Sequence, residues 1–74
     1  MNLKYAVVFE KAPNNWAAYV PDLPGCVTTG GTLAQAEINI REAIRGHLQT
    51  LREFGDPVPA PSSVAIEIEV ISAS

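Results

Sequence analysis

The sequence has one cysteine, Cys26, and one histidine, His47, in 74 residues. A lone cysteine excludes an internal disulfide. Cys26 and His47 are also too few for structural zinc, which takes four ligands, and no cofactor is expected. Positive charge is scarce. Lys4, Lys11, Arg41, Arg45 and Arg52 stand scattered along the chain against eight carboxylates, giving a formal net charge of −3. Affinity for nucleic acid comes largely from lysine and arginine on phosphates, so direct DNA binding is not expected. A mildly acidic surface suits a basic protein partner better. Long apolar runs are missing as well, and nothing approaches the roughly 18 residues of a bilayer span. Met1-Asn2-Leu3-Lys4 leads straight into a strand pattern, without the apolar core and cleavage site of a signal peptide. The expectation is a cytoplasmic chain with no membrane association.

What is present is an ordinary globular composition, 47% apolar and 18% charged. The length allows one domain, residues 1–74. So short a chain buries only about 60% of the surface its unfolded form exposes. Domains this small gain their margin from disulfides, metals or association. With the first two excluded, a homo-dimer or homo-tetramer is expected.

Leu3, Tyr5, Val7 and Phe9 alternate with Lys4, Ala6, Val8 and Glu10, the period of a strand. Pro13-Asn14-Asn15 is a turn signal, and Trp16 to Val20 reads as the return strand of a hairpin. Pro21-Asp22-Leu23-Pro24-Gly25 breaks that strand, with Pro24-Gly25 fitting the central positions of a type II turn. Cys26 to Thr29 makes a short third strand. Thr32 with Gln35 three residues on predicts a capping box. Leu33, Ala36, Ile40, Ala43, Ile44, His47, Leu48 and Leu51 then recur at helical spacing. Gly55 stops the helix after Phe54 and Pro57 prevents its restart. After a proline-rich connector over 56–63, Val64, Ile66, Ile68 and Val70 alternate with Ala65, Glu67, Glu69 and Ile71 as a fourth strand. The order is β-β-β-α-β, an α+β fold with one helix on one face of a small, mostly antiparallel sheet. Ala6, Val8, Ala17, Tyr19 and Ile71 are left for the other face, again pointing to a second subunit.

Few residues offer chemistry. Cys26 and His47 are the single thiol–imidazole combination, but His47 falls on the apolar stripe of the helix and Cys26 reads as a small buried hydrophobe. Asp22, Glu67 and Glu69 are the acids a residual magnesium-dependent nuclease would use. Two glutamates alternating with isoleucines are more simply the wet face of a sheet, and Asp22 in a turn more simply serves backbone N–H groups. Gly30-Gly31 at a strand-to-helix junction offers N–H groups for an anion or small ligand, yet it has neither the lysine nor the spacing of a P-loop. No catalytic residue and no metal ligand set is assigned, and no enzyme is expected. Trp16, Tyr19 and the turn Asp22, Leu23, Pro24, Gly25 and Cys26 are the candidate contacts for a partner.

The run Trp16-Ala17-Ala18-Tyr19-Val20-Pro21-Asp22-Leu23-Pro24-Gly25-Cys26, then Thr29-Gly30-Gly31-Thr32, then Ala36 and Ala43 on a helix, resembles the HicB-like antitoxin family. The resemblance covers essentially the whole chain. It implies a partial ribonuclease-H-like fold, usually dimeric or tetrameric. The implied partner is a HicA-type toxin, a small basic RNA-cleaving protein whose active surface the antitoxin masks. Two departures stand out. Many members have an acidic residue before the capping threonine and a glutamate in the first turn, where this chain has Gly31 and Gln35. Many also carry a C-terminal DNA-binding domain, whereas this sequence reaches Ser74 directly after the fourth strand pattern.

Overall fold

The computed structural model describes residues 2–72. Strand β1 spans Val8–Lys11, β2 Trp16–Tyr19 and β3 Val27–Gly30, and helix α1 spans Leu33–Glu53. The three strands form one antiparallel sheet in the order β1-β2-β3. Phe9 pairs with Ala18, and Ala18 in turn with Thr28, which fixes the register across the sheet.

The hairpin closes where Asn15 O accepts from Ala12 N at 2.8 Å. β1 is shorter than the alternation from Leu3 predicts, for a reason that lies in its neighbour. Beyond Tyr19, Val20 N donates on the β3 side, to Cys26 O at 3.1 Å, and the next residue due to face β1 is Pro21, which has no N–H to give. Residues 3–7 are therefore outside the ladder, although Tyr5 and Val7 still pack on the core.

At the entrance to α1, Thr32 is extended at φ −131° and its hydroxyl accepts from Gln35 N at 3.1 Å. The capping box is only half made. The Gln35 side chain reaches forward to Asn39 Oδ1 at 2.9 Å rather than back to the cap. Asn39 in turn donates to Thr29 O of β3 at 2.8 Å, tying the helix to the sheet edge. Close approach here requires glycine: a Cβ on Gly30 would sit 2.8 Å from Ala36 Cα and 2.9 Å from the Gln35 carbonyl carbon. At the other end Gly55 adopts φ +69°, with Gly55 N on Arg52 O and Asp56 N on Leu51 O. Those two bonds are the Schellman pattern and satisfy carbonyls the last turn leaves open.

α1 lies over β3 and β2. Ala18, Val20, Leu23, Cys26, Ala36 and Ile40 are buried, with Tyr5, Val7, Phe9, Ala43, Ile44 and Leu48 half-buried around them. The α+β expectation and the three-stranded antiparallel sheet with one helix hold. The fourth strand differs. Val64–Ile71 does not join the sheet, and among the described residues 56–72 form no strand or helix. Ile71, expected on the open sheet face, is accordingly away from it.

Candidate functional site

The turn after β2 is built from two tight turns in succession. Leu23 N donates to Val20 O at 3.1 Å across Pro21-Asp22, and Cys26 N donates to Leu23 O at 3.0 Å across Pro24-Gly25. Proline presets the first corner of each turn, and Gly25 at φ +84° supplies the left-handed corner a type II turn demands. This geometry sorts the candidate residues by side. Leu23 is fully buried and Cys26 is 3% exposed, whereas Pro24 and Gly25 are exposed. The Leu23 and Cys26 side chains, expected among the partner contacts, therefore face the core rather than the surface. They are the anchors that hold the turn on the core.

Asp22 is engaged within the chain. Its carboxylate accepts from Ser62 N at 2.8 Å and Ser63 N at 2.9 Å, and from the two serine hydroxyls at 3.0 and 2.7 Å. The Ser63 backbone N–H, then that of Ser62, holds the Asp22 carboxyl well below the usual carboxylate range. Beside this latch, Tyr5 Oη donates to Pro59 O at 2.5 Å. The connector over 56–63 is thus fixed at two points, to the turn after β2 and to the segment leading into β1. Nothing in the spacing of the sequence pointed to Ser62 and Ser63 as the partners of Asp22. A carboxylate in one turn and consecutive serines after prolines, 40 residues apart, carry only a weak signal.

Trp16 and Tyr19 are not neighbours on one surface. They lie three residues apart on a strand, so they face opposite sides of the sheet. Trp16 shares the side of buried Ala18, at the hairpin end, with Lys11 Nζ 5.9 Å from its ring centroid. Tyr19, 37% exposed, stands on the helix-free side with its cross-strand partner Val27, 64% exposed.

Cys26 and His47 do border a common shallow pocket. Burial pushes the Cys26 thiol up, the reverse of what a nucleophile needs. The three acids of the nuclease reading are not brought together. Asp22 is held by the serines, and Glu67 and Glu69 lie on the exposed segment beyond them. Among the described residues no group of three or more potential His, Cys, Asp or Glu ligands converges. Among the described residues no helix is long and apolar enough to cross a membrane.

The basic residues, scattered in sequence, converge in space. Lys4, Arg41, Arg45 and Arg52 line a groove of about 740 Å³ between the segment leading into β1 and α1, with Glu37 the one carboxylate among its lining residues. Its floor is apolar, from Tyr5, Val7, Phe9, Ile44 and Leu48. The spacing of Arg41, Arg45 and Arg52 along one helical stripe was the available signal.

Comparison with known proteins bears on what these surfaces serve. The chain is 36% identical over 67 residues to the UPF0150 protein Ta0767 of Thermoplasma acidophilum, covering 89% of this chain and 97% of that one. It is 29% identical to Antitoxin HicB 2 of Photorhabdus laumondii, covering 96% of this chain but only 59% of the antitoxin. A chain of a HicA3 and HicB3 toxin–antitoxin complex superposes with a TM-score of 0.70 at 32% identity, covering 81% of this chain and 70% of that one. The family model for HicB-like antitoxins of bacterial toxin–antitoxin systems matches residues 5–71. The chain belongs to that family.

Proposed function

We propose that this protein is an antitoxin that neutralises a HicA-type toxin, a small basic RNA-cleaving protein, by covering its active surface. The observation that carries the reading is the likeness, in fold and sequence together, to a chain found in a HicA3 and HicB3 complex. The family match over 5–71 supports it, and a net charge of −3 suits a basic partner. The mode of action is occlusion without turnover, carried out in the cytoplasm. Tyr19, Pro24 and Gly25 are exposed or rigid enough to serve as contacts, with Trp16 at the hairpin end. Asp22 acts indirectly, by holding the turn against the connector.

The test is co-expression with a HicA-type toxin, followed by purification of the pair. The wild-type chain should restore growth and co-purify with the toxin. Tyr19→Ala should weaken the complex while leaving the melting temperature of the free protein nearly unchanged. Growth arrest undiminished by this chain, with no complex at micromolar concentrations, would end the proposal.

A further inference from the structure

Charge is distributed unevenly over this molecule. Four of the five lysine and arginine residues, Lys4, Arg41, Arg45 and Arg52, line the groove beside α1, where Glu37 is the one carboxylate. Lys11 is thus the single basic residue elsewhere, and seven of the eight carboxylates lie outside the groove. A cleft lined by one sign of charge focuses the field and concentrates counter-ions. The four basic side chains are exposed. Among the described residues no ion pair or hydrogen bond engages any of them. Arg41 and Arg45, four apart on one helix, repel each other. The arrangement works against the stability of α1 and calls for an anion from outside.

The dimensions and the floor of the groove narrow the chemistry of that anion. At about 1.5 Å per residue, Arg41 and Arg52 stand about 16 Å apart along the helix, with Arg45 between them. Lys4 lines the groove from the segment leading into β1. One small anion cannot meet all four, whereas a chain of anions can. Between the cations the floor is apolar and includes the half-buried rings of Tyr5 and Phe9. The occupant must therefore present charge and apolar surface to the same side. An extended peptide sends successive side chains to opposite sides, so acids alternating with apolar residues would turn their carboxylates away. A nucleic-acid duplex keeps its base faces stacked inside. A single strand carries a phosphate and an open planar ring in every unit. Arginine suits both parts, since its planar fork bonds phosphate oxygens in pairs and stacks on aromatic faces.

We propose that this groove binds single-stranded nucleic acid. Arg41, Arg45 and Arg52 hold phosphates along one bank, Lys4 holds another from the opposite bank, and bases lie over Tyr5 and Phe9. Five basic residues in all are too few to wrap a duplex, yet four in one groove suffice for a short single strand. The contacts are to phosphates and base faces, so binding is independent of sequence.

The test uses the free chain without any toxin, so its outcome is independent of the antitoxin reading. The probe is a labelled oligouridylate of about eight nucleotides, within the about 4–16 of single-strand sites. Fluorescence anisotropy should give a dissociation constant on the order of 10–100 µM at about 50 mM salt. Four phosphate contacts at about 0.7 each predict a slope of about −2.8 for log affinity against log salt concentration. Arg45→Gln should reduce that slope by about 0.7 and weaken binding about 8-fold at about 50 mM salt. Its melting temperature should equal or exceed that of the wild type, since a like-charge pair is relieved. Lys11→Gln, outside the groove, should bind as the wild type does. Binding should also shift the ring resonances of Tyr5 and Phe9. Four results would each overturn the proposal: no binding up to millimolar protein, an affinity insensitive to salt, full affinity after Arg41→Gln with Arg45→Gln, or equal competition by polyglutamate or duplex of the same length.

Discussion

Leu23→Ala is the substitution whose outcome the structure specifies most tightly. Leu23 sits between two residues that face outward, yet it is the largest fully buried side chain. Its backbone belongs to both turns after β2, donating to Val20 O and accepting from Cys26 N. Truncation leaves a cavity that the doubly turned backbone is poorly able to collapse. Buried Leu→Ala changes cost about 2.7–5 kcal/mol. A domain of this length has roughly 4–11 kcal/mol in total at the usual stability per residue, so the loss is about half of it. At about 4–8 °C per kcal/mol, the melting temperature should fall by at least 10 °C or so. Urea unfolding followed by fluorescence of Trp16, the sole tryptophan, reads the free energy. Protein concentration must be held fixed, since association adds apparent stability. Toxin binding by the folded fraction should be unaffected, because the Leu23 side chain has no outward face. A loss below about 1 kcal/mol, or weaker toxin binding by fully folded variant, would refute the assignment of Leu23 as the anchor of the turn.

Other perturbations probe the same framework. Gly30→Ala should destabilise the fold, measured as a lower melting temperature, because its Cβ would press on the backbone at Gln35 and Ala36. Asp22→Asn should raise hydrogen exchange at the Ser62 and Ser63 amides selectively. Acid should do the same. The Asp22 carboxyl is held below its ordinary value of about 4 in the folded chain, so the stability it confers is complete above that value and is lost as pH falls below it. Protection at Ser62 and Ser63 that stays unchanged down to pH 2 would contradict this. Cys26 should react with a thiol reagent at neutral pH only as fast as the protein opens, since the thiol is buried and burial raises its pKa. Rapid labelling of the folded protein would show otherwise.

Much of the architecture is legible because its determinants are local. Pro24-Gly25 specifies the turn, Thr32 the helix start and Gly55 its end, each through a backbone conformation or a missing N–H within a few residues. The fourth strand is legible as a pattern and illegible as a pairing. Alternation at Val64, Ile66, Ile68 and Val70 reports that one side seeks apolar company, not where that company is found. The candidate contact residues divide similarly. Strand parity alone separates Trp16 from Tyr19, and helical spacing alone gathers Arg41, Arg45 and Arg52. The inward aim of Leu23 and Cys26 depends instead on two turns that reverse the chain between them. The Asp22–Ser62–Ser63 latch spans 40 residues and depends on the path of a connector without periodicity.

The latch ties the turn after β2 to the point where the apolar segment over 64–71 begins. One carboxylate, four hydrogen bonds and no large buried surface set where the connector ends and the apolar segment begins. Among the described residues six hydrophobic side chains are buried, so little hydrophobic surface lies inside, while five large aliphatic side chains are exposed beyond Ser63. Hydrophobic stabilisation scales with area removed from water, so a fold that leaves this segment in solvent leaves part of its available driving force unused.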